Sequence, residues 1–391
     1  MNQKRKILAV LVVVSIVSWM SLRADTINEK TFIVRGAKIF TSGPDGILKD
    51  GALLVKDGKI VEILTDGNLP DVPIHEYPGC SVIPGIVDAH TYVSGYLRVL
   101  ENTRAITSDL VAYPAFNPLS PEVLQAIESG ITTVNFSPRN ENLIGGISSV
   151  FKLTSKVKPL SFLKKEAFLK ISLSQEAQKE DRAPTSLMGA PVILSENLDR
   201  ARSGKQERKD IFVQKGLQKI AQRALFPMIA ASRYEEIRTS LTWLEKENLK
   251  GIIVGGEESI YFHEDLQEQD IAVLLSPLWF SVSDKVIQNA AALAKSGILF
   301  GFVSFMPEGE PLSLRLSALM LFHQGVSQEE ALKTITINPA RILGIDDRVG
   351  SLEEEKDGDF VILSGDPLDL SSQVIAVYIN GQLIYKKNGS S

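Results

Sequence analysis

Residues 251–303, GIIVGGEESIYFHEDLQEQDIAVLLSPLWFSVSDKVIQNAAALAKSGILFGFV, decide the architecture. Three runs in it, Ile252-Ile253-Val254, residues 271–275 and residues 298–303, are almost wholly apolar with no polar alternation, so they read as strands buried on both faces. Helical patterns separate them. Phe262 and Leu266 share one face of the first, and the second, residues 286–295, is closed by Gly297. Upstream, residues 226–230 lead into a helix with Ile237, Leu241 and Leu244 on one face, and Gly251 ends that unit. Strand and helix in alternation build a parallel sheet. Residues 84–345 have the length of an α/β (β/α)8 barrel, which fits better than a doubly wound sheet because no glycine-rich phosphate loop follows the first strand.

The two ends read differently. Leu53-Leu54-Val55-Lys56 and Lys59-Ile60-Val61-Glu62-Ile63 flank Asp57-Gly58, while residues 374–379 and 382–385 flank Asn380-Gly381. Both dipeptides tolerate the positive φ that a two-residue hairpin requires. Asp359-Phe360-Val361-Ile362-Leu363 adds a further strand. Short β segments cannot each bury a face alone, so the ends are expected to pair into one small β-sandwich. The expected division is a signal peptide or membrane anchor (1–24), sandwich (25–83), barrel (84–345) and sandwich again (346–391). Late in the barrel, Leu312, Leu316, Leu319 and Met320 form one helical face, and Ser327-Gln328-Glu329-Glu330 is a capping box with Val326 placed to staple onto Ala331.

Composition excludes several classes. A chain of 391 residues with 44% hydrophobic content buries a large core, and a net charge of −5 without a basic stripe argues against nucleic acid as a partner. The lysine-richer residues 152–170 read as a solvated face. A single cysteine, Cys80, rules out a disulfide framework and reads as a small buried residue. Asn2-Gln3-Lys4-Arg5-Lys6 followed by apolar residues 7–22 and then Arg23-Ala24-Asp25 reads as an export segment. The expected product is periplasmic or secreted and starts near Asp25, or is anchored to the membrane by residues 7–22.

Seven further blocks read together: Ser81-Val82-Ile83-Pro84-Gly85-Ile86-Val87-Asp88-Ala89-His90-Thr91-Tyr92, Gly130-Ile131-Thr132-Thr133-Val134, Ile144-Gly145-Gly146, Arg182-Ala183-Pro184-Thr185 with Met188-Gly189, and Thr336-Ile337-Asn338-Pro339-Ala340-Arg341. Asp347-Arg348-Val349-Gly350-Ser351-Leu352 and Gly365-Asp366-Pro367-Leu368 complete the set. Taken together, these motifs resemble the amidohydrolase superfamily, in its exported imidazolonepropionase-like branch. The resemblance spans nearly everything after the leader. It implies a barrel with a sandwich built from both ends, and hydrolysis of C–N bonds by a hydroxide on a divalent metal such as zinc.

The family's ligand positions are substituted. Where the family closes its first strand with His-x-His, this chain has His90 and Tyr92, and a phenol is a poor replacement for imidazole. The fifth strand offers Ala230 or Ser232, the sixth Gly255, and the eighth, where the family presents an aspartate, Ser304 or Phe305. The chain has four histidines, and His75, His263 and His323 lie away from strand ends. Glu257 and Glu258 open a helix, which suits a dipole-facing role. Asp88 belongs to the family pattern and is placed to hydrogen-bond His90 on the same face. A serine-hydrolase reading of Ser232 or Ser304 with His90 lacks a Gly-x-Ser-x-Gly elbow and a third member.

The expectation is therefore a remnant pocket formed by Asp88, His90, Tyr92, Ala230, Ser232, Gly255, Ser304 and Phe305, with no catalytic residue and no cofactor. The chain would be a non-catalytic relative that binds a small amide or peptide ligand, or pairs with an active amidohydrolase paralogue or with itself. The alternatives are an active C–N hydrolase with a rearranged metal site, and a structural envelope component.

Overall fold

A computed structural model describes residues 30–65, 69–101, 103–156, 159–204 and 214–387. The export segment of residues 2–25 lies outside the described residues. Among those described, no helix is long and apolar enough to cross a membrane.

Residues from both ends share one eight-stranded sheet. Its path runs Gln382–Lys386, Val374–Ile379, Phe360–Leu363, Ile74–Pro84, Thr31–Phe40, Ala52–Lys56 and Lys59–Leu64, with Ile47–Lys49 paired off Thr31–Phe40. The two ends meet where Phe360–Leu363 runs antiparallel to Ile74–Pro84, with Phe360 opposite Pro84 and Leu363 opposite Ser81. Phe32, Val34, Leu53, Val55, Val82, Phe360, Ile362 and Tyr378 make the apolar cluster of this sheet. Both hairpin turns take positive φ, at Asp57 (49°), Gly58 (84°), Asn380 (50°) and Gly381 (66°), as their sequences predict. The turns also touch: a Cβ on Gly58 would stand 2.8 Å from the Asn380 carbonyl oxygen, so glycine is required there for space as well as for backbone angle.

The remaining strands form two sheets. Phe300–Phe302, Ala272–Leu275, Ile252–Gly255, Phe226–Ala231 and Phe168–Ser172 are parallel neighbours, and Ile144–Ile147 adds antiparallel to the last of them. The second sheet runs Ser161–Lys164, Ser149–Lys152, Ile131–Phe136 and Ile86–Thr91, the last two parallel. Ser148 alone separates Ile144–Ile147 from Ser149–Lys152, so the chain passes there from one sheet to the other. At the opposite edges, the Tyr92 N–H donates to the Met306 carbonyl at 2.8 Å. Helices cover the parallel strands, as the buried face of Ile237, Leu241 and Leu244 on Tyr234–Glu247 illustrates.

The cap read at Ser327 is present, its Oγ accepting from the Glu330 N–H at 3.2 Å. Three expectations need correction. On the helix Ser313–His323 the deepest side chains are Leu314, Ala318 and Leu321, and Leu312 is exposed, because this helix is buried nearly all round and its apolar residues do not single out one face. Cys80 is half-buried, at the register shift between Tyr77 and Ser81 of the strand Ile74–Pro84, and burial pushes its thiol pKa up. The stretch 152–170 is a solvated face only in its middle, where Lys156 and Lys165 are exposed, whereas Lys152 and Lys170 at its ends are both fully buried. Each lysine occupies a strand position flanked by apolar neighbours, Phe151 before Lys152, and Leu169 and Ile171 around Lys170, and burial of the strand carries the lysine inward.

Candidate strand-end site

Asp88 and His90 sit at the end of Ile86–Thr91 and are wholly inaccessible to solvent. The Asp88 carboxylate accepts the Ser304 N–H at 3.1 Å, the Ser304 hydroxyl in a short bond, and the His90 backbone N–H at 3.4 Å. Burial lifts its pKa to about 6 even though these bonds pull it down. The expected bond from Asp88 to the His90 ring does not form. Instead, both ring nitrogens of His90 lack a hydrogen-bond partner among the described residues. Burial, with the Lys170 charge as the second cause, drives the imidazolium pKa well below its ordinary value, so the ring is neutral near pH 7.

Two aromatic rings pack against His90. Tyr92 and Phe305 each approach its ring edge-on at 5.2 Å between centroids, and Tyr92 leans on Tyr96 at 6.2 Å. Of the two neighbours whose orientation was open, Phe305 packs onto His90 while Ser304 is committed to Asp88. Phe305 does so with φ of +52°, a left-handed conformation costly for a bulky residue and held here by the surrounding packing. Outside Tyr96, the Arg139 guanidinium lies 3.6 Å over the ring, the Tyr96 hydroxyl bonds Glu308, and Arg139 pairs with Glu141.

Ala230, Ser232 and Gly255 form a second group, on adjoining strands in which Ala231 faces Gly255. A Cβ on Gly255 would fall 2.1 Å from Ser232 Oγ, so the glycine makes room for the serine. The Ser232 N–H caps onto Glu236 at 2.9 Å. Glu258 accepts the Tyr234 N–H at 2.6 Å, so it faces the start of the preceding helix Tyr234–Glu247 and not a helix of its own.

One residue between the groups escaped the sequence reading. Lys170 lies in the middle of Phe168–Ser172, across from Met228 on one side and Gly146 on the other. By alternation it shares the face of Phe168, which packs in one cluster with Val87, Ala89, Met228, Val254 and Leu274. Its Nζ has no partner among the described residues, and burial pushes its pKa down to about 7 against the pull of Glu176 and Glu141. A single lysine in Phe168-Leu169-Lys170-Ile171-Ser172 was the signal available. Nearby, Asn135 Nδ2 donates to the Ala89 carbonyl and reaches Met228 Sδ, while Asn135 Oδ1 is also unpartnered.

A profile described as "Amidohydrolase family" matches residues 304–385. The imidazolonepropionase of Shewanella baltica (strain OS185) is 24% identical over 380 residues, covering 82% of this chain and 88% of its own. That of Thermoplasma acidophilum is 25% identical over 369 residues, covering 83% and 85%. The amidohydrolase from Thermotoga maritima MSB8 superposes with a TM-score of 0.83 at 26% identity, over 91% of this chain and all of that one (100%). Residues 304–385 thus match the amidohydrolase family, and over most of its length the chain is similar to imidazolonepropionases and to a solved amidohydrolase.

The family's metal does not fit the donors at these positions. Asp88 is committed to Ser304, and Tyr92 presents a buried phenol whose pKa is driven well above its ordinary value, first by burial. Ala230 and Gly255 carry no side-chain donor. Among the described residues no three His, Cys, Asp or Glu side chains come together as a metal group. Tight zinc sites draw on three or four good ligands, and the one imidazole here is His90.

Proposed function

We propose that this amidohydrolase-superfamily chain is a non-catalytic relative whose strand-end pocket, bounded by Asp88, His90, Tyr92, Ser304 and Phe305 and continued by Ala230, Ser232 and Gly255, holds a small ligand. The observation that carries this reading is at the first-strand ligand position, where the Tyr92 and Phe305 rings stand edge-on against His90 at 5.2 Å and no second imidazole among the described residues accompanies it. The wider architecture we propose is a closed (β/α)8 barrel with a sandwich built from both ends. The passage of the chain across Ser148 and the Tyr92 to Met306 bond support the closure, and the shared eight-stranded sheet supports the union of the ends. We place the chain outside the cytoplasm on the strength of Lys4, Arg5, Lys6 and the apolar run after them. Pairing with an active relative or with a second copy is the other role open to such a chain.

A second reading, an active hydrolase of C–N bonds with a rearranged site, is favoured by the retained Asp88 and His90 and by the imidazolonepropionases to which the chain is similar. Elemental analysis of purified protein alongside turnover of a panel of cyclic amides and dipeptides separates the two. The proposal expects neither stoichiometric metal nor turnover. Stoichiometric zinc with turnover that a chelator abolishes would establish the hydrolase.

A further inference from the structure

A cavity of about 440 Å³ opens on the shared end sheet and has no residue in common with the strand-end group. It lies at a bulge. In the strand Ile74–Pro84, His75 to Tyr77 pair with Val34 to Gly36 and pairing resumes with Ser81 opposite Lys38, so Pro78, Gly79 and Cys80 face the single residue Ala37. Pro78 has no N–H to give a ladder, and Gly79 takes a φ of 75°. A bulged strand bends, and the start of this one stands across the cavity from the hairpin of Val374–Ile379 and Gln382–Lys386.

Polar groups meet across the gap. The Tyr378 hydroxyl bonds His75 Nδ1 at 2.9 Å and the Tyr77 hydroxyl at 2.8 Å, and all three side chains line the cavity. Tyr378 is 1% exposed, and stacking fixes the rings: Phe32 lies on His75 at 4.8 Å between centroids and Phe360 on Tyr378 at 4.5 Å, each pair within 21° of parallel. A site held in this way is already ordered before a ligand arrives. Charge then decides the ligand's sign. Glu76 at the cavity is answered by Arg35 at 3.8 Å, whereas Lys386 has no ion-pair partner among the described residues, so one positive charge is left over. Lys386 stands opposite Ala376, two residues along the strand from Tyr378 and therefore about 7 Å from its row. A benzene ring with substituents at opposite ends spans that gap.

We propose that this cavity is a binding site for a planar aromatic carboxylate, with its ring between Tyr77 and Leu383, its carboxylate on Lys386 and a para hydroxyl at the Tyr77 and Tyr378 hydroxyls. No covalent bond is made or broken. An apolar cavity alone accepts any hydrophobe, but an ammonium and a hydroxyl pair set a ring's length apart select a ligand by its two ends. The site does not depend on the reading of the strand-end pocket, and its test involves neither metal nor amide turnover.

Calorimetry of the full chain with 4-hydroxybenzoate at pH 7 should show one site. The single cysteine of the chain, Cys80, lines the cavity and reports its occupancy: alkylation by iodoacetamide should slow along the same binding curve. Cyclohexanecarboxylate keeps the charge without the planar ring and should bind about tenfold more weakly, and Lys386→Glu should weaken 4-hydroxybenzoate about tenfold by turning attraction into repulsion. Lys386 is exposed, so that variant keeps the fold. Tyr77→Phe should erase the preference for 4-hydroxybenzoate over benzoate while benzoate still binds. Absence of both heat and Cys80 protection at millimolar ligand would overturn the proposal. So would binding that leaves Cys80 alkylation and the Lys386→Glu affinity unchanged, because the acid then sits elsewhere on the chain, and equal affinity for cyclohexanecarboxylate would remove the aromatic class.

Discussion

Lys152 and Lys170 lie on neighbouring segments of one fold, and both are shut off from solvent, yet their surroundings are opposite. Lys152 Nζ is met by Asp357 at 2.7 Å, Asp359 at 2.9 Å and Asn380 at 2.6 Å, and Arg348 reaches Asp357 as well at 2.6 Å. Those partners come from residues 348–380, so this ammonium ties the Ser149–Lys152 strand to the shared end sheet. Lys170 has no such partner. A buried charge is tolerated when its hydrogen bonds are complete, and a buried amine left alone loses its charge instead. The first arrangement belongs to architecture. The second is a local cost that the rest of the fold carries, of the kind found at functional sites.

The same substitution at the two positions should therefore act in opposite directions. Lys152→Met leaves Asp357 and Asp359 buried without their cation and should lower stability by about 3–5 kcal/mol in urea unfolding at pH 7. Replacing both aspartates by asparagine in that background should recover part of the loss. If Lys152→Met proves neutral, the network is not the tie described.

Lys170→Met should raise stability near pH 7, by about 2–4 kcal/mol, because it removes an amine that folding moves out of water. A folded pKa of about 7 below an unfolded value of 10.5 means that this group's contribution is complete above 10.5 and lost as pH falls through 7. The advantage of the methionine variant should accordingly shrink toward pH 10. Urea midpoints at pH 6, 7 and 10 check both the sign and the trend.

Asp88 titrates in the other sense. Its folded pKa of about 6 stands above 3.8, so the stability it contributes is full below about pH 4 and lost as pH rises through 6, a window worth about 3 kcal/mol. Asp88→Asn should flatten that part of the stability profile. Ser304→Ala, which strips one donor from the buried carboxylate, should cost about 1–3 kcal/mol and push the window to higher pH.

Much of this could be read from the chain, and the misses have physical causes. The hairpins at Asp57-Gly58 and Asn380-Gly381 were legible because their turn chemistry is local. The strands 252–254, 271–275 and 298–303 were legible because burial on both faces leaves an unbroken apolar run. Asp88, His90 and Tyr92 stood out through the family pattern, and the side that Phe305 faces waited on a one-residue register. Lys170 was missed because a polar residue inside a short strand looks like an exposed one until the sheet on either side is known. The unbonded His90 ring was equally hidden, since two residues on one face suggest a contact that the backbone bond from His90 to Asp88 in fact takes.

The most direct measurement is the titration of Lys170 itself, followed by carbon-detected NMR of lysine-labelled protein with the Lys170→Met variant to assign the signal. The expected midpoint is near 7, well separated from the surface lysines. A Lys170 signal that titrates with them near 10 would show a solvated or paired ammonium, and the contrast with Lys152 would fall.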